Sequence, residues 1–111
     1  VVATVSELHV LVTEITVSLL PADNINRDPW CVKVVWRGGD KYAVKFLSKV
    51  FNSDGEWEYE PIPSSREDDF IERTRFDYLT AYATACHHAP LIRINGMTAA
   101  DVLAKAGDDD A

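Results

Sequence analysis

From Trp30 to Glu60 the chain alternates apolar and charged side chains with a period of two, a pattern suited to strands that bury one face and offer the other to water. Trp30, Val32, Val34 and Trp36 fall on one side of the first stretch, and Cys31, Lys33, Val35 and Arg37 on the other. Gly38-Gly39-Asp40 then supplies the tolerance for positive φ that a hairpin turn needs. In the next stretch Tyr42, Val44, Phe46 and Val50 share a face, with Lys41, Lys45 and Lys49 opposite. A second turn, Asn52-Ser53-Asp54-Gly55, leads into Glu56-Trp57-Glu58-Tyr59-Glu60, and Pro61 and Pro63 stop the ladder. The pattern predicts a β-meander.

Register follows from the faces, because opposed residues of antiparallel strands point the same way. A three-residue loop opposes Arg37 to Lys41, Trp36 to Tyr42, Val35 to Ala43, Val34 to Val44 and Lys33 to Lys45. The charged face then gathers Lys33, Arg37, Lys41 and Lys45, the candidate binding residues, and like charges set opposite each other cost a few tenths of a kcal/mol per pair. Two readings of this cluster compete. In the preferred one Glu56, Glu58 and Glu60 neutralise it as a solvated ladder, with Lys49 opposite Glu58 or Glu60. In the other, an anion relieves the repulsion. On the opposite face Trp30, Trp36, Tyr42, Trp57 and Tyr59 are expected to be core beneath a helix rather than a stacking platform.

The flanks complete the architecture. Residues 14 to 20 read as a strand, although the shift in phase from Leu8, Val10 and Val12 to Ile15, Val17 and Leu19 requires a bulge near Thr13, or a helix over residues 5 to 12. Pro21 to Pro29 is a polar loop. Beyond the meander, Ser64 or Ser65 caps a helix with Glu67, Asp68 and Asp69 in its first turn and with Phe70 and Ile71 inward. Asp77 caps a second stretch in which Phe76, Leu79, Ala83 and Cys86 share a face, the two stretches being separate helices or one kinked helix. Asn95-Gly96 is a turn, and Thr98 with Asp101 forms a variant capping box that opens a short helix ending at Gly107. The fold class is therefore α+β: an antiparallel β-meander of three to four strands, packed on one face by a C-terminal helical region, with a short final helix. Residues 1–107 form a single domain and 108–111 an acidic tail.

Composition narrows function mainly by exclusion. Eighteen acidic against eleven basic residues give a net charge of -7, which disfavours general nucleic-acid binding. Apolar residues make up 47% of the 111, enough for one core. No run of 18 apolar residues is present, so no membrane association is expected and the cytoplasm is the default location. The first residue is valine, which leaves a processed leader open. Cys31 and Cys86 lie in no CxxC or Cys/His cluster and read as free thiols. Cys86-His87-His88 are adjacent and diverge on a helix, so they do not make a metal site or a nucleophile pair. Glu56, Glu58 and Glu60, on an open face, lack the environment that would fit them for acid-base work. No catalytic, cofactor-binding or metal-ligating residue is read from the sequence.

The order of Gly55, Trp57, Glu60-Pro61, Pro63-Ser64, Arg75-Phe76, Ala89-Pro90 and Asn95-Gly96, within residues 30 to 104, resembles small α+β proteins of actinobacteria and their phages. That resemblance brings no assigned activity and no site residue. It implies a small accessory protein and, in a phage-like setting, a host-directed inhibitor. The expected function is a non-enzymatic protein-interaction module with a protein partner. The alternative is anion or nucleic-acid binding through Lys33, Arg37, Lys41 and Lys45. A homo-oligomer is compatible with either.

Overall fold

The alternating stretches form one antiparallel sheet in strand order β1-β2-β3-β4-β5, built from Glu14–Val17, Val32–Trp36, Tyr42–Phe46, Lys49–Phe51 and Trp57–Tyr59. This computed structural model describes residues 8–25 and 27–110, the side chains of 106–110 excepted. Three helices follow: α1 (Asp68–Thr74), α2 (Tyr78–His88) and α3 (Ala99–Asp110). A two-stranded ribbon, β6 (Arg93–Ile94) and β7 (Met97–Thr98), lies between the last two. The class is α+β, as the sequence predicts.

Between β2 and β3 the register is the one the hairpin logic gives: Trp36 pairs with Tyr42, Val35 with Ala43, Val34 with Val44 and Lys33 with Lys45. The following strand differs. Leu47 and Ser48 form a two-residue turn, with Leu47 at φ 54°, and split the expected 41–50 strand into β3 and β4. The turn reverses the faces beyond it. Val50 now lies opposite Lys45 on the charged face, while Lys49 lies opposite Phe46 and Tyr59 on the aromatic face. The meander consequently has five strands, one above the expected range.

Helix α2 covers the aromatic face. Ala81, Ala85 and Ala89 bring its backbone close to Val32, Val34, Tyr42 and Val44, with Ile92 completing the cluster. Of the four residues expected to share the inward face, Phe76 packs against this cluster, whereas Leu79, Ala83 and Cys86 face outward and Leu79 is 76% exposed. Small residues win the inward position because the sheet side already carries the bulk, in Trp36, Phe46, Phe51 and Trp57. Asp77 caps the helix by accepting from the Thr80 N–H at 2.8 Å.

The charged face is partly roofed by α1. Phe70 reaches down to Ala43 and Val50 in a separate cluster, while Ile71, expected inward, is exposed. Neither serine caps this helix: Pro63–Ser65 is a 3-10 turn, and α1 starts at Asp68 after Glu67. The two helices are distinct, because Phe76 between them bridges to Tyr42 through N–H···O bonds of 2.7 and 2.9 Å. A residue committed to the sheet cannot continue a helix.

A second apolar cluster joins Leu20, Trp30, Ala99 and Val102. Trp30 thus precedes its strand and anchors α3 rather than extending the aromatic row. The capping box of α3 is present: Asp101 accepts from the Thr98 N–H at 2.9 Å and Thr98 from the Asp101 N–H at 3.2 Å. The helix runs through Gly107 to Asp110, beyond its expected end, since a glycine weakens a helix by about 1 kcal/mol without stopping it. Residues 8 to 13 are neither helix nor strand, so no bulge is needed at Thr13; residues 5 to 7 of the alternative helix over 5–12 lie outside the described residues, as do residues 1 to 4, Asn26 and Ala111.

Candidate functional site

Glu60 follows β5, and its N–H donates to the Ser48 carbonyl at 3.1 Å, which continues the β4–β5 register past the strand end. By alternation its side chain points to the face that carries Lys33, Lys45 and Glu58. There it meets four cations. Lys45 Nζ lies 2.9 Å from Oε1, Arg37 Nη2 3.1 Å and Arg66 Nη2 3.6 Å, while Arg75 Nη2 stands 3.7 Å from Oε2. The Glu60 side chain is only 5% exposed. Burial pushes its carboxyl up, yet the Lys45 hydrogen bond and the charges of Arg37 and Lys45 outweigh it, so the group sits below the ordinary glutamate value. It is ionised at neutral pH.

The partners come from separated parts of the chain. Arg37 follows β2, Lys45 belongs to β3, Arg66 follows the 3-10 turn and donates from Nε to the Pro61 carbonyl, and Arg75 precedes the Phe76 bridge. Burial lowers the Arg75 pKa, Glu60 opposes that, and the like charges of Arg37 and Arg66 lower it further. One carboxylate cannot balance four cations. Its hydrogen bonding is uneven as well: Oε1 takes both direct bonds, whereas Oε2 and the Arg37 Nε–H are buried without a hydrogen-bond partner among the described residues.

Beside this hub the part of the charged face not roofed by α1 forms a depression of about 410 Å³. Lys33, Arg37 and Lys45 line it together, with Glu14 and Asp28 among its walls and Cys31, Val35 and Leu47 completing them. Cys31 is a closed wall: it is buried, its thiol donates to the Asp28 carbonyl at 3.0 Å, and burial pushes its pKa up.

Three of the four candidate cations therefore converge on one depression. Lys41 does not line it; it sits exposed in the hairpin loop, where its charge acts on Asp77. Neutralisation by glutamate is found at Glu60, but as a buried hub rather than a solvated ladder. Glu58 has a different partner set, taking Arg73 Nε at 2.8 Å and Nη2 at 2.7 Å, and Asn52 Nδ2 at 2.7 Å. Those bonds, Arg73 first, hold its carboxyl at about 2. Glu56 is exposed, and Lys49 lies over the Tyr59 ring on the opposite face.

Of the aromatic row, Trp30 and Tyr42 are buried and Trp36 and Trp57 are half-buried in packing, whereas Tyr59 is 71% exposed. His88 packs on Phe51 and Trp57, with ring centroids 4.7 and 5.8 Å away, and burial lowers its pKa, His87 adding to the effect. Among the described residues no three His, Cys, Asp or Glu side chains converge as metal ligands, and no helix is long and apolar enough to cross a membrane.

Neither Arg66 nor Arg75 is among the binding residues read from the sequence. Each lies in a segment without period-two patterning, and the Phe76 bridge that orients Arg75 is a single residue with no local signature. Glu14 and Asp28 escaped notice for a related reason, being brought to the depression by a strand and a loop remote from the hairpin. Comparison of the chain with family models, curated proteins and solved structures finds no match.

Proposed function

We propose that this chain is a small non-enzymatic binding module that takes an anionic ligand on the open part of its charged sheet face. One observation carries the reading: Lys33, Arg37 and Lys45 line a single depression, beside a hub in which four cations share one buried carboxylate. The excess positive charge is local, and partly desolvated charge attracts an anion more strongly than the net charge of -7 suggests. Titration calorimetry with pyrophosphate at low and high salt tests it. Saturable binding that weakens with salt and is lost in Lys33→Glu supports the reading, since Lys33 makes no ion pair among the described residues and can be changed without disturbing the hub. No saturable binding at low salt, or binding unaltered in Lys33→Glu, overturns it.

A second reading, a protein-interaction or accessory module, rests on the β1 edge. The Trp36 N–H donates to the Thr13 carbonyl at 2.8 Å, so by alternation the backbone groups of Glu14 and Thr16 point away from β2. Next to this edge Leu8, Val10 and Leu11 are exposed, Val10 to 92%. An added strand from a partner protein suits such an edge. Thr16→Pro removes an outward N–H at a position where an edge strand tolerates proline. A stoichiometric partner recovered from lysate by the native chain and lost with Thr16→Pro supports this reading; equal recovery by both overturns the edge as its surface.

A further inference from the structure

The depression carries two kinds of polar group, and a bare anion uses only one of them. Lys33, Arg37 and Lys45 suit a phosphate, whereas Glu14 and Asp28 are acceptors that repel it. Carboxylates in a cationic pocket are well placed to accept from hydroxyls, and a ligand with a phosphate at one end and hydroxyls along the rest satisfies both sets.

Size agrees. A volume of about 410 Å³ lies within the roughly 300–1,000 Å³ typical of small-molecule pockets and exceeds the need of a lone phosphate. The lining also argues against a nucleobase. Among the described residues no aromatic side chain lines the depression, and Trp36, Tyr42 and Trp57 belong to the opposite face, so a base finds nothing to stack on.

We infer that the charged depression binds a hydroxyl-rich phosphate monoester of the sugar-phosphate class, its phosphate held by Lys33, Arg37 and Lys45 and its hydroxyls by Glu14 and Asp28. This rests on the anion-binding reading and names the ligand class for the same site. Nucleic acid is disfavoured on the same grounds, since the two carboxylates repel a continuous phosphate backbone and the pocket offers no stacking surface.

Calorimetry on the full chain with four probes decides the matter: inorganic phosphate, glucose 6-phosphate, glucose and adenosine monophosphate. Glucose 6-phosphate is expected to bind at least about tenfold more tightly than inorganic phosphate, a difference of about 1.4 kcal/mol, and more tightly than adenosine monophosphate, with glucose alone silent. In Glu14→Gln and in Asp28→Asn, each checked for native circular dichroism, the ratio of glucose 6-phosphate to phosphate affinity should fall toward one. Two variants on different elements keep the test open if one fails to fold. Phosphate binding with no preference for glucose 6-phosphate overturns the ligand class and leaves anion binding standing. Tighter binding of adenosine monophosphate overturns it in favour of a nucleotide, and silence of all four probes overturns this inference and the anion reading together.

Discussion

Lys45 lies on β3 and Glu60 just past the end of β5, a strand that does not neighbour β3, yet Lys45 Nζ stands 2.9 Å from Glu60 Oε1. β4 separates the two strands, so the ion pair spans it on the charged face and binds the end of the meander to its middle. Arg37, Arg66 and Arg75 extend the same tie to β2, to the 3-10 turn and to the segment between α1 and α2. The hub is therefore a structural staple, and its Arg37 and Lys45 also form part of the wall of the charged depression.

Removing its negative charge should show both roles. Glu60→Gln leaves four cations facing each other with no counter-charge, and breaking a buried ion pair on one side costs about 3–5 kcal/mol. Urea denaturation should give a loss of that order. Added phosphate should raise the melting temperature of the variant more than that of the native chain, because an anion takes the place of the missing carboxylate. A loss under about 1 kcal/mol contradicts the staple.

Acid should destabilise the fold in two stages. His88 has a folded pKa below its ordinary value of 6.5, so its folded form binds fewer protons than the unfolded chain and stability falls as pH drops through 6.5. Glu58 and Glu60 are also depressed, Glu58 from 4.5 to about 2; their contribution is complete above about 4.5 and is lost as pH falls toward the folded values. Denaturation midpoints measured from pH 8 to pH 2 should decline at both steps, and His88→Phe should remove the upper one. A profile flat between pH 5 and pH 3 contradicts the carboxylate assignments.

Asn52 is a buried polar residue whose side chain makes three hydrogen bonds. Its Oδ1 accepts from the N–H groups of Asp54 and Glu56, both at 3.0 Å, and its Nδ2 donates to Glu58. Asn52→Ala deletes the scaffold of the β4–β5 turn and leaves those donors unmatched, a cost of about 2–3 kcal/mol. Asn52→Asp should also destabilise at neutral pH, since it sets a carboxylate against Glu58, and should recover partly toward pH 4. Equal stability of the alanine variant and the native chain would rule this out.

The two thiols should differ sharply in reactivity. Cys31 is buried, hydrogen-bonded and raised in pKa, whereas Cys86 is exposed on the outer side of α2, and both are free. Disulfide-exchange labelling of the native protein should give one fast and one slow thiol, and Cys86→Ser should abolish the fast phase. Two fast thiols would show that the Asp28–Cys31 wall is open.

The hairpin between β2 and β3 was legible because alternation, a glycine-rich turn and matching faces all specify one register, and a slip of one residue would put Lys33 and Lys45 into the core. The turn at Leu47-Ser48 was not. It holds no glycine, asparagine or proline, and Leu47 at φ 54° adopts a backbone conformation disfavoured for its side chain, tolerated where pairing on both sides holds the strands. That unmarked turn moved Val50 to the charged face beneath Phe70 and Lys49 to the aromatic face.

The sequence by itself determined the α+β class, the two-faced sheet, the helix caps at Asp77 and Thr98, and the gathering of Lys33, Arg37 and Lys45 on one surface, because each follows from local periodicity or from a few neighbouring residues. Only the tertiary structure decided which helix face turns inward, where Trp30 packs, and that Glu60 draws in Arg66 and Arg75. Those outcomes depend on volume and charge brought together from distant parts of the chain, and local sequence carries no record of that proximity.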